Sequence, residues 1–152
     1  MHADKLDKID IKILSILQTR GRTKRNEIAE EVGLSIPSVS ERLKKLEEQG
    51  IIEGYYAKVN KHSFGLDITA YIQVLMESSK HYKELIIKVE KIPQILECHS
   101  VLGEGSHLLK VVVKNTAALE KLLTVIQSWP GVTSTKTNFV LSTIKETTAI
   151  SI

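Results

Sequence analysis

Residues 25–45 read RNEIAEEVGLSIPSVSERLKK, and their spacing sets the architecture of the front of the chain. Ala29 is small, as two closely crossing helices require at their contact. Gly33 follows four residues later, where a tight turn needs a left-handed backbone that glycine adopts without steric cost. Val39 comes six residues after that, placed as the buried contact of a second helix. Ile28, Val32, Leu34 and Leu43 supply the remaining apolar contacts. Ser35 stands as an N-cap, and Pro37 falls in the first turn, where a missing N–H costs least. Val39, Leu43 and Leu46 form one stripe at steps of four and three, and Gly50 closes the helix. This is the grammar of a helix-turn-helix; a generic helical hairpin is the alternative the segment leaves open.

With that stripe inward, helical geometry turns Pro37, Ser38, Glu41, Lys44, Lys45 and Glu48 outward, with Ser40 and Arg42 at the flank. The N-terminal part of such a helix enters a DNA major groove. Ser35, Ser38 and Ser40 can donate to phosphates or base edges. Arg42, Lys44 and Lys45 can neutralise phosphates, and Arg42 can also meet guanine. Glu41 either accepts from a cytosine amine or pairs along the helix with Lys44 or Lys45. For Lys44, Lys45, Glu47 and Glu48 a solvated face is the competing reading. The expected DNA-binding set is Ser35, Pro37, Ser38, Ser40, Glu41, Arg42, Lys44 and Lys45.

Outward from this segment the chain divides near residue 60. Leu6, Ile9, Ile13, Leu14, Ile16 and Leu17 recur near a 3.6-residue period, which predicts a helix from about Asp4 to Arg20, closed at Gly21. Thr23 is the expected N-cap of the short helix ending at Gly33. Ile51 to Val59 reads as extended, with Tyr55 and Tyr56. Lys61 to Asp67 connects to a half rich in β-branched residues. There the order is strand (Ile68–Glu77), helix (Tyr82–Ile92, with Leu85, Ile86 and Val89 inward), strand (Ile95–Leu102) and strand (Leu108–Lys114). A helix capped by Thr116, bearing Leu119, Leu122, Leu123, Ile126 and Trp129, and a long strand Val132–Lys145 complete it; Ala149–Ile152 forms a short edge piece. A β-α-β-β-α-β order is that of a ferredoxin-like sandwich. The expected domains are 1–60, a helix-turn-helix with its β-linker, and 61–152.

Two helices cover one face of such a sheet. The strand carrying Leu108 and Val112 on one side and Leu109, Val111 and Val113 on the other is apolar on both. That pattern predicts a homodimer packed sheet to sheet through Leu108 and Val112; extra burial inside one domain is the alternative.

The 152 residues allow one domain or two small ones. Hydrophobic residues make up 42% and charged ones 26%, which argues against a disordered chain. No stretch approaches the roughly 18 apolar residues of a membrane span, and the first ten lack the apolar core of a secretory signal. The lone Cys98 supports no intrachain disulfide framework. These features point to a cytoplasmic protein without membrane association. Cys98, His99 and His107 are too sparse for a metal site, and no cofactor is expected. The net charge of +3 divides as 12 Lys and Arg against 10 Asp and Glu up to Gly65, and 9 against 8 beyond. So weak an excess requires local placement of charge, or several copies acting together, if the partner is double-stranded DNA.

The whole pattern resembles the Lrp/AsnC family of leucine-responsive and feast/famine regulators. The matching residues in the front half are Leu6-Asp7-Lys8-Ile9-Asp10, Ile13-Leu14-Ser15-Ile16-Leu17-Gln18, Gly21-Arg22, Glu27-Ile28-Ala29, Val32-Gly33-Leu34-Ser35, Val39 to Glu47 and Gly50-Ile51-Ile52. In the back half they are Gly65-Leu66, Gly103-Glu104, Trp129-Pro130-Gly131-Val132, Thr135-Lys136-Thr137 and Lys145-Glu146. The resemblance implies an α+β protein: an N-terminal winged helix-turn-helix joined by a β-linker to a C-terminal ferredoxin-like domain that senses an effector and dimerises. It implies dimers assembling into tetramers, octamers or larger particles, DNA binding near promoters, and in many members an amino-acid effector.

In that family the effector commonly lies near the β–β loop and the last strand, where the loop usually reads Gly-x-x-Asp. Here Ser106 replaces the Asp, offering a neutral donor and acceptor. The expected effector-binding set is Gly103, Gly105, Ser106, Thr135 and Thr137; a loop that shapes contacts between dimers and binds nothing is the alternative. His107 is either a pH-sensitive group or structural. The expected activity is transcription regulation modulated by an amino acid or related small molecule. A DNA-architectural protein of the same fold, without operator specificity or effector, is the second reading, and a small ferredoxin-like enzyme the third. No catalytic constellation stands out to support the enzyme.

Overall fold

The computed structural model describes residues 6–152. Residues 6–58 together with 145–152 form one compact unit, and residues 59–144 form another.

The first unit is built on three helices, α1 (Lys8–Thr19), α2 (Arg25–Val32) and α3 (Ile36–Glu48). Asp7 caps α1: its Oδ1 accepts from the Ile9 and Asp10 backbone N–H groups, both at 2.8 Å. Asp10 reciprocates by accepting from the Asp7 N–H. The expected start at Asp4 lies outside the described residues. Lys24, not Thr23, caps α2, and its N–H donates to Glu27. The Thr23 hydroxyl is spent closing the end of α1, where it donates to the Arg20 carbonyl at 2.7 Å. Gly33 takes the left-handed conformation (φ +70°), and Leu34 N–H returns to the Ala29 carbonyl, so α2 ends in a tight turn and α3 begins at Ile36. Ile13, Leu14, Ile16, Ile28, Ala29, Val39, Leu43 and Leu46 pack as one core.

The second unit has strands β1 (Ile68–Met76), β2 (Ile95–Ser100), β3 (His107–Val113) and β4 (Val132–Phe139), with α4 (Tyr82–Glu90) and α5 (Thr116–Gln127) between them. The sheet order is β2-β3-β1-β4, antiparallel throughout, as in a ferredoxin-like sandwich. Alternation puts Ala70, Ile72 and Val74 with Leu109, Val111 and Val113 on one face. There they meet Leu85 and Val89 of α4 and Leu119, Leu122 and Ile126 of α5, with Trp129 beyond it.

Several expectations change. Ile86 is exposed, because Leu85 and Val89, four apart, already define the inward line of α4. Asn115, not Thr116, caps α5 by accepting from the Ala118 N–H. The last strand stops at Phe139 rather than Lys145. Its partner β1 begins at Ile68, and after Val140 N–H bonds the Thr69 carbonyl no ladder remains. Residues 149–152 form no edge strand. Ile150 instead exchanges two hydrogen bonds with the Gln18 side chain of α1, at 2.7 and 3.0 Å. Residues 51–59 join no sheet: the chain bends at Ile51 and Ile52, whose N–H groups both bond the Leu46 carbonyl of α3.

Candidate functional site

The helix-turn-helix presents α3 as its outer element. Ser35 Oγ accepts from Ser38 N–H and lies 2.9 Å from Ser38 Oγ, so the two hydroxyls stand together at the positive end of the helix dipole. Val39, Leu43 and Leu46 are buried, as the stripe predicts. Ser35, Pro37, Glu41, Lys44 and Lys45 are exposed, and Ser38 and Ser40 are partly so. Lys44 lies 3.7 Å from Glu48 across one turn, a loose surface pair. Glu47 is not merely solvated: it accepts from the Tyr55 hydroxyl at 2.9 Å. Partial burial and this bond push the phenol up to about 12. Arg22, Lys24 and Arg25 are also exposed, on the turn entering α2. Three basic residues within four positions were the available sequence signal for them.

Arg42 stands apart from this set. Its Nη1 reaches Asp7 Oδ2 at 2.6 Å and Asp10 Oδ1 at 2.8 Å. The expectation that Arg42 offers a free guanidinium to DNA is therefore revised. The two carboxylates that cap α1 hold it, and both hydrogen bonds raise its pKa.

In the second unit, the turn from β2 to β3 lies against the end of β1. Ser106 N–H donates to the Val74 carbonyl at 2.9 Å, and Val101 N–H donates to the Ser106 carbonyl at 3.0 Å. Gly105 is required here: φ is +85°, and a Cβ would lie 2.9 Å from the Val74 carbonyl oxygen. Ser106 Oγ pairs with His107 Nδ1 at 2.8 Å. The His107 ring is buried and meets Tyr82 edge to face at 4.8 Å; burial lowers its pKa. Glu104 pairs with Lys136 at 2.7 Å, which holds its carboxyl below the usual range.

Gly103, Gly105 and Ser106 thus share one loop. Thr135 and Thr137 make no hydrogen bond to it among the described residues. They register with Val74 and Ile72 on the helix-covered face, and Thr135 Oγ1 accepts from Gln127 of α5 at 2.8 Å. Lys136, pointing the other way, joins β4 to the loop.

The open sheet face is mixed rather than apolar. Leu108 is partly exposed, with Gln73 and His99 as neighbours on the flanking strands. Lys110 pairs with Glu97 at 3.2 Å, and His99 with Glu97 at 3.1 Å. Together they hold the Glu97 carboxyl low, His99 contributing most. Val112 is only 7% exposed, beside Thr69 at 6%. Lys61 Nζ donates to Thr69 Oγ1, so the 3-10 turn Lys61–Phe64 reaches this end of the face.

Two family descriptions match the chain: "winged helix-turn-helix DNA-binding" over residues 6–53, and "Lrp/AsnC ligand binding domain" over residues 69–150. The chain belongs to the Lrp/AsnC family of transcriptional regulators. It is 37% identical over 147 residues to the HTH-type transcriptional regulator FL11 of Pyrococcus horikoshii, covering 97% of each chain. It is 36% identical to the leucine-responsive regulatory protein of Haemophilus influenzae, covering 93% of this chain and 87% of that one. Among solved structures, a transcriptional regulator of Neisseria meningitidis in complex with L-Met superposes with a TM-score of 0.91 at 36% identity, over 97% of both chains. AsnC of Escherichia coli gives 0.88 at 29% identity, over 95% of this chain and 97% of that one. This Lrp/AsnC regulator therefore joins a DNA-binding unit to a ligand-binding one. No helix among its described residues is long and apolar enough to cross a membrane.

Proposed function

We propose that this Lrp/AsnC protein reads duplex DNA with α3 and that an amino acid or related small molecule, bound by the 59–144 unit, changes its occupancy of promoters. The observation that carries the DNA reading is the orientation of α3. Burial of Val39, Leu43 and Leu46 leaves Ser35, Pro37, Ser38, Ser40, Glu41, Lys44 and Lys45 on the side free to meet a groove. The serines suit phosphate oxygens and base edges, and the lysines phosphates.

Support for the effector comes from similarity, over 97% of both chains, to a regulator solved with L-Met. The Gly103–Ser106 loop is its proposed seat; Thr135, engaged by Gln127, and Thr137 lie on the helix-covered side of β4 and are not assigned to it. A homodimer assembling into a tetramer or octamer pairs recognition helices on successive half-sites and multiplies phosphate contacts. That multiplication offsets a protomer charge of only +3. Leu108 of the open face is the proposed centre of the dimer contact, with Val112 at its margin. The protein acts in the cytoplasm as a binding protein, and no residue is assigned a catalytic step.

A gel-shift competition between the region upstream of its own gene and bulk DNA, at matched salt, tests this function. Preferential retention of the upstream fragment, altered by one of the twenty amino acids, is expected. Equal affinity for both DNAs would instead favour an architectural protein.

A further inference from the structure

We infer that Arg42 is a positioning residue for DNA recognition: it fixes α3 on α1 through the capping carboxylates Asp7 and Asp10 and makes no phosphate contact of its own. Three observations carry this.

The first is the distribution of donors over the four carboxylate oxygens. Asp7 Oδ1 accepts from Ile9 N–H and Asp10 N–H, and Asp10 Oδ2 accepts from Asp7 N–H. The two oxygens left over, Asp7 Oδ2 and Asp10 Oδ1, are the ones Arg42 takes. Every oxygen of the capping box has a donor from the protein only when the guanidinium is in place. Moving Arg42 to a phosphate would strip two charge-assisted bonds at once.

The second is charge. One guanidinium lies between two carboxylates, so the cluster is net negative and offers no free cation to a polyanion.

The third is placement. Asp10 is well covered, with 14% of its side chain exposed, and Arg42 has 29%. Arg42 is one residue before the buried Leu43, near the middle of α3. A tie there holds both the rotation of α3 about its axis and its tilt against α1. Those two quantities decide where Ser38 and Glu41 meet base edges and where Lys45 meets a phosphate.

The inference rests on α3 being the reading helix, and its test separates the two. Binding of the upstream fragment by the wild-type protein tests the reading. The inference is tested by Asp10→Asn and Arg42→Ala, with affinity measured across a salt series and folding checked by far-UV circular dichroism. Asp10→Asn removes a negative charge near DNA, so a purely electrostatic effect would strengthen binding. Loss of the tie should instead weaken it by about tenfold, the scale of one mismatched base pair. Arg42→Ala should weaken binding similarly while the slope of log K against log salt stays at the wild-type value. A slope reduced by about one per protomer would identify Arg42 as a phosphate contact and overturn the inference. So would Asp10→Asn binding as well as, or better than, wild type. If Arg42→Ala fails to fold, Asp10→Asn carries the test, since asparagine keeps the shape of the cap.

Discussion

Replacing Gly105 by Ala should destabilise the 59–144 unit by about 2–3 kcal/mol, from two separable sources. The backbone there is left-handed at φ +85°, which costs a residue bearing a Cβ about 1–2 kcal/mol. The new methyl would also lie 2.9 Å from the Val74 carbonyl oxygen, a backbone atom of a central strand that cannot swing aside. Relief requires the loop to lift by about half an ångström, which loosens the Ser106 N–H bond to that same carbonyl and loses about 1 kcal/mol. Gly65→Ala is the control in the same unit. Its φ is +66° but no atom lies within 4 Å of the added Cβ, so only the backbone cost applies. Trp129 is the single tryptophan and is buried in the core of this unit, so its fluorescence reports unfolding there. With a urea m-value of about 1–3 kcal/mol/M, Gly105→Ala should lower the midpoint by about 1–2 M at fixed protein concentration. The loss of unfolding free energy should exceed that of Gly65→Ala by about 1 kcal/mol. Equal midpoints for the two variants would show that the loop does not rest on β1 as described.

The helical unit should lose stability in acid. Asp7 is held below its ordinary value of 3.8 by the Asp10 backbone N–H first and the Arg42 guanidinium next. A depressed carboxylate contributes above its unfolded pKa and stops contributing as pH falls through its folded one. Helical circular dichroism should therefore hold down to about pH 4 and decline below it; Asp7→Asn should blunt that decline, and an unchanged profile in the variant would remove Asp7 from the account. Leu108→Lys should split the oligomer in light scattering while Trp129 unfolding stays near wild type; an undivided particle would refute the sheet-to-sheet contact. Val112 is a poorer probe, being already buried within the protomer. An amino-acid effector at one hundred times its Kd should raise stability by about 2.7 kcal/mol in a thermal-shift screen, and no shift with any of the twenty would argue for a loop that binds nothing.

Local periodicity was enough to read the plan of this molecule. Ala29, Gly33 and Val39 announce the helical hairpin, and Ile68 to Met76 alternates as a strand must. Each pattern reflects which side of one element avoids water, and that is encoded within a few neighbouring residues. The partners of individual polar groups were not legible in the same way. Arg42 is 35 residues from Asp7 and 32 from Asp10, and nothing in the spacing of either segment says that α3 packs with its arginine over the α1 cap. Nothing in the spacing of β4 tells that the Thr135 hydroxyl is taken; packing of α5 brings Gln127 to it. The last strand looked long because residues 140–145 suit a strand, yet a strand can run only as far as its neighbour β1 provides hydrogen bonds. Hydrophobic pattern is a property of a segment, whereas the occupancy of a donor or acceptor belongs to a pair, and pairs form only once distant segments have packed.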